Sequence, residues 1–110
     1  MTIKYTVLFR ACDKVESVHN SLRPFGLNKL ETIKVSFYTL YQSLSKSKFQ
    51  FIVIGDDLSQ ELINFFSQFK NIDIQNEKLG SAAKSLQKQI SIALQVPNDH
   101  WVYMCEDDYL

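Results

Sequence analysis

The chain has 110 residues, the size of one ordinary domain. Its 12 Lys and Arg balance 12 Asp and Glu, which argues against a protein whose main task is gripping nucleic acid through phosphates. Apolar residues at 45% suffice for a core, three Gly and two Pro exclude low-complexity and disordered classes, and no apolar run approaches the ~18 residues needed to cross a bilayer.

The first element is the β-branched and aromatic run from Ile3 to Arg10, which reads as a strand. Its apolar stretch, Tyr5 to Phe9, is too short for the apolar region of a signal peptide. A long irregular segment follows from Ala11 to Lys29, with Pro24 and Gly26 inside it. Segments of that length within a compact domain are often functional. Leu30, Ile33, Phe37, Leu40, Tyr41 and Leu44 then recur at helical spacing. Phe49 to Ile54 is a near-continuous apolar strand, as expected where both faces are buried in a parallel sheet, and it ends at Gly55-Asp56-Asp57.

A second helical stripe holds Leu58, Leu62, Phe65, Phe66 and Phe69, with Ser59 suited to its N-cap. Asn71 to Gln75 is a short alternating strand, nearer a sheet edge. Gly80-Ser81 opens a third helix whose stripe is Ala83, Leu86, Ile90, Ala93 and Leu94, and Pro97 ends it. His100 to Cys105 is the fourth strand, and Glu106-Asp107-Asp108 follows it directly. Strands alternating with helices predict right-handed crossovers and a parallel sheet in a single α/β unit. The lack of a membrane-length or signal-peptide apolar run leads to the expectation of a soluble, intracellular one.

In such a sheet, ligands bind beyond the carboxyl ends of the strands, near a topological switch point. The chemistry-bearing residues gather at those ends. Arg10 and Asp13 follow the first strand, Asp56 and Asp57 the second, Glu77 and Lys78 the third, and the acidic triplet the fourth. Three adjacent carboxylates repel one another, and a hard divalent cation such as Mg²⁺ or Mn²⁺ relieves that repulsion. The other reading is a solvated acidic turn. Asp56 and Asp57 suit ribose hydroxyls or a base, or else an acidic entry to the next helix. Lys84 and Lys88 suit an anion at a helix start, or else the solvent face of an amphipathic helix. Arg10 is either paired with a carboxylate or available to a diphosphate, and Arg23 in the long segment has a similar choice. His19 and His100 stand alone, with no metalloprotease or hydrolase motif around them. Cys12 and Cys105 lack metal-site spacing and read as reduced thiols. With a strand order of 3-2-1-4, the first and fourth strands are neighbours and both cysteines lie near the rim.

Taken together, these residues resemble the nucleotide-binding half of a GT-A glycosyltransferase, close to the family 2 glycosyltransferases. The resemblance covers nearly the whole chain and is strongest from Gly80 to Asp108. There Gly80-Ser81-Ala82-Ala83-Lys84-Ser85, Ile90 to Leu94 and Trp101 to Asp108 are similar to a Gly-led helix, an apolar strand and the acidic DxD motif. Glu106-Asp107-Asp108 stands in for DxD. The resemblance implies a three-layer α/β/α, Rossmann-like fold in β-α-β-α-β-α-β order, with a mainly parallel sheet. It implies transfer of a sugar from a nucleotide-diphosphate sugar, first of all a UDP-sugar, to an acceptor hydroxyl, with Mn²⁺ or Mg²⁺.

In that reading Asp108 coordinates the metal, Asp107 touches ribose or sugar hydroxyls, and Glu106 helps place the nucleotide. Asp56 or Asp57 contacts the base or ribose. Arg10 and Lys84 lie near the base or diphosphate. The general base and acceptor site of the family come after DxD, so the chain corresponds to the donor-binding half, and no catalytic base is expected in it. The implied location is cytoplasmic, with peripheral attachment at the inner face of a membrane as a variant. Two other classes compete. A receiver-type signalling domain carries its acidic pair after the first strand and its phosphorylated Asp after the third, whereas here the acids follow the second and fourth. A non-catalytic interaction domain is the remaining class.

Overall fold

The computed structural model describes residues 4–13, 28–44 and 48–106. The elements run β1 (Lys4–Ala11), α1 (Lys29–Ser43), β2 (Lys48–Asp56), α2 (Gln60–Phe66), β3 (Ile72–Glu77), α3 (Ala82–Ala93) and β4 (His100–Glu106). The strands form one four-stranded sheet in the order β3-β2-β1-β4, and every pairing is parallel. This is the expected α/β class and the expected element order. The long segment's residues 14–27, including His19, Arg23, Pro24 and Gly26, lie outside the described residues, as do Asp107 and Asp108.

α1 and α2 cover one face of the sheet. Val7, Phe9, Phe51 and Val53 alternate onto that face and meet Ile33, Phe37, Leu62 and Phe66 from the helices. Phe37 is fully buried, and the Phe9, Phe51, Phe65, Phe66 and Phe69 rings surround it at centroid distances of 4.9 to 6.1 Å, all edge-on. Edge-on aromatic pairs each add about 0.5–1.5 kcal/mol beyond area burial. This cluster is the largest source of packing in the fold.

The helix starts are well specified. Asn28 caps α1 and accepts from the Glu31 N–H at 2.8 Å, while the Glu31 carboxylate accepts from the Asn28 N–H at 3.3 Å. Such a reciprocal box satisfies two donors that the helix itself leaves orphaned. Ser59 caps α2, as its sequence position suggested. The Asp13 carboxylate accepts from both the Ser59 N–H and the Ser59 hydroxyl, which ties the segment after β1 to the start of α2.

α3 covers the opposite face and lies against β1 and β2. The sequence stripe put Leu86, Ile90 and Leu94 inward. In the structure all three are exposed, and the sheet-facing positions are Ser85 and Gln89, with Ile92 and Ala93 against Leu8, Ile52 and Ile54. Gln89 is buried and donates to the Leu8 carbonyl at 2.7 Å, so its polar group is satisfied on the sheet-facing side of the helix.

β4 is an edge strand, and no described strand pairs with its outer side. Trp101 and Tyr103 share the α1/α2 face by register with Tyr5 and Val7, and Val102 and Met104 share the α3 face with Thr6 and Leu8. All four are exposed, Trp101 to 67%. Among the described residues no helix is long and apolar enough to cross a membrane.

Candidate functional site

The switch point of this sheet lies between β1 and β4. From β1 the chain crosses over to β2 on one side, and the return through α3 places β4 on the other. Doubly wound folds bind ligands at the carboxyl ends of the two strands that flank such a point, here β1 and β4.

Arg10 and Glu106 are register partners at that point, the last described ladder pair of β1 and β4. Their side chains form a tight ion pair from Arg10 Nη2 to Glu106 Oε1. Arg10 Nη1 also donates to the Ala82 carbonyl in the first turn of α3, at 3.3 Å. Among the described residues Arg10 Nε is buried and finds no acceptor. Of the two sequence readings of Arg10, the described structure thus displays the carboxylate pair.

The other rim residues are placed as follows. Asp56 is buried at the end of β2, and its carboxylate accepts from the Leu79 N–H at 2.7 Å and the Gly80 N–H at 3.1 Å. Asp57 is half-buried with φ of 51°, a left-handed conformation that Asp tolerates better than most side chains, and its N–H donates to the Glu77 carbonyl at 2.7 Å. Gly55 precedes them because a Cβ there would stand 2.5 Å from Leu58 Cδ1. Lys84 is exposed in the first turn of α3, where its N–H donates to the capping Ser81 hydroxyl at 3.2 Å. Lys88 does not stand on a solvated face. It is largely covered and pairs with Glu77 at 2.6 Å.

The structure thus brings Arg10, Glu106 and the start of α3 together, and sets Asp56 behind the turn that leads into α3. Asp107 and Asp108, the proposed sugar and metal contacts, lie outside the described residues. Among the described residues no group of three or more His, Cys, Asp or Glu side chains converges as a metal site. Glu106 is the described member of the acidic triplet, and one of its oxygens is engaged by Arg10. Any fit for Mn²⁺ or Mg²⁺ therefore rests on Asp107 and Asp108.

Cys12 and Cys105 are not joined in a disulfide. Burial pushes the Cys105 thiol up from 9.0 to about 12, with the nearby Arg10 charge pulling weakly the other way. Thr6 Oγ1 and His100 Nδ1 are hydrogen-bonded at 2.8 Å between β1 and β4, so the isolated His100 has a structural partner.

Two polar residues escaped sequence reasoning. Gln89 sits on what reads as the solvent face of α3. Asn76 accepts from the Leu58 N–H at 2.9 Å and anchors the turn after β2. Neither belongs to a motif, and only the tertiary contact gives either a role. Comparison of the chain with protein-family models, curated proteins and solved structures finds no match.

Proposed function

We propose that the chain is the donor-binding portion of a glycosyltransferase, which binds a nucleotide-diphosphate sugar at the carboxyl ends of β1 and β4. The observation that carries this reading is the Arg10–Glu106 pair at the switch point, against the first turn of α3. A guanidinium beside a helix start suits a diphosphate, because both present N–H donors to an anion. A carboxylate at the end of the adjacent strand suits the nucleotide's hydroxyls.

In this reading Arg10 exchanges part of its ion pair for a phosphate oxygen, and Glu106 is released toward the ligand. Lys84 adds positive charge from the first turn of α3. Asp56 or Asp57 serves the base or ribose. Asp107 touches sugar or ribose hydroxyls. A divalent cation, Mn²⁺ or Mg²⁺, held through Asp108 would supply Lewis-acid stabilisation of the departing diphosphate. The donor is first of all a UDP-sugar. Two cysteines not joined in a disulfide suit a reducing, cytoplasmic compartment, with peripheral attachment at an inner membrane face as the variant.

Titration calorimetry with UDP or GDP in the presence of Mn²⁺ tests the reading. Binding that is lost in Asp108→Ala supports it. No binding of either nucleotide, or binding indifferent to Asp108→Ala, overturns it.

A further inference from the structure

Asp56 ends β2 and is 6% exposed. A buried carboxylate is costly unless donors surround it. Here the donors are two successive backbone amides of the β3–α3 turn. Asp56 Oδ1 accepts from the Leu79 N–H at 2.7 Å, and both oxygens share the Gly80 N–H at 3.1 Å each. Gly80 takes φ of 82°, so the chain turns there in a conformation that favours glycine. The next residue, Ser81, caps α3, and the one after it, Ala82, gives its carbonyl to Arg10. The contacts run in one line along the rim. Asp56 holds Gly80, the turn sets Ser81 and Ala82, Ala82 meets Arg10, and Arg10 meets Glu106.

We infer that Asp56 is a positioning residue for the diphosphate end of the donor site and does not contact the nucleoside. Both of its oxygens face backbone amides, and its burial places it behind the β3–α3 turn. Its work is to hold the first turn of α3 against Arg10. This rests on the donor-site reading above. It divides the two acids after β2, leaving Asp57 as the one that serves the base or ribose.

The test compares two probes, UDP with Mn²⁺ and inorganic pyrophosphate with Mn²⁺, by calorimetry on the wild-type chain, Asp56→Ala and Asp56→Asn. A nucleoside contact would matter to UDP alone, whereas a positioning residue matters equally to both probes. We expect Asp56→Ala to weaken both by about tenfold, the scale of one lost charge-assisted hydrogen bond. Asp56→Asn keeps one acceptor oxygen and should fall between. Calorimetry also separates this from a folding defect, which lowers the bound stoichiometry and leaves the Kd of the folded fraction unchanged. The Leu79 and Gly80 amide proton resonances should move upfield in both variants. A loss confined to UDP overturns the inference, and so does undiminished affinity for both probes in either folded variant. If Asp56→Ala does not fold, Asp56→Asn is judged by the same comparison. Wild-type chain that binds neither probe removes the donor-site reading and this inference with it, a result distinct from any difference between variants.

Discussion

Gln89 donates its side-chain amide to the Leu8 carbonyl at 2.7 Å and reaches the Cys105 carbonyl at 3.4 Å, so one residue of α3 touches the backbones of both β1 and β4. These are the two strands that flank the switch point. α3 is therefore docked by a buried polar contact as well as by apolar area. Gln89→Leu leaves carbonyls in a dry place without that donor. The expected cost is about 1–3 kcal/mol, read as a lower urea midpoint at unchanged slope. A midpoint equal to wild type would show that the contact is dispensable.

Phe37 stands at the centre of the aromatic cluster and is fully buried. Phe37→Ala should cost about 3–5 kcal/mol, a large share of the ~5–15 kcal/mol that holds a domain of this kind together. The variant is expected to lose its cooperative thermal transition or show it at a much lower temperature. A loss below about 1 kcal/mol would mean that the cluster repacks around the gap.

Asn71 turns the chain from α2 into β3 with φ of 63°, and its carbonyl accepts from the Phe51 N–H at 3.1 Å. Left-handed backbone costs an ordinary L-residue roughly 1–2 kcal/mol. Asn71→Gly should leave stability unchanged or raise it slightly. Asn71→Val should lower it by about 1–2 kcal/mol, since a β-branched side chain fits that region poorly. Chemical denaturation of the pair checks the order, and equal midpoints would contradict it.

The Cys105 thiol is held up at about 12 by burial, above its ordinary 9.0. A raised pKa in the folded state means that the unfolded chain releases the proton first. The contribution is complete below about pH 9 and is lost as pH climbs toward 12. Stability should therefore slope downward across that alkaline window, and Cys105→Ala should flatten the slope. At pH 8 the native protein should leave Cys105 unmodified by a thiol reagent, with reaction appearing on unfolding. Prompt modification of Cys105 in the native state would contradict the burial.

Much of the architecture was legible from pattern. The apolar run at Phe49–Ile54 announced a strand buried on both faces, and the alternation at Asn71–Gln75 announced a strand nearer an edge. Both follow from how side chains distribute about a pleated backbone. Ser59 was legible as a cap because its hydroxyl has one obvious use there. α3 was not legible in the same way. Its leucines and isoleucines form a good stripe, yet Gln89 faces the sheet and bonds a strand carbonyl, a tertiary contact that the stripe does not reveal. At the rim, the sequence placed Arg10 and Glu106 at strand ends, but only the strand order made them neighbours. Asp56 and Asp57 looked equivalent as an acidic pair. The amides of Leu79 and Gly80, which are backbone and therefore silent in the sequence, distinguish them.

The exposure of the β4 side chains has a practical corollary. Trp101 is the chain's only tryptophan, and it stands largely in solvent on β4. Its emission should be red-shifted in the isolated chain and readily quenched by iodide. Anything that settles on that strand would shift the emission to the blue and shield it from the quencher. The molecule thus has a built-in optical reporter on an exposed apolar strand, with no label required.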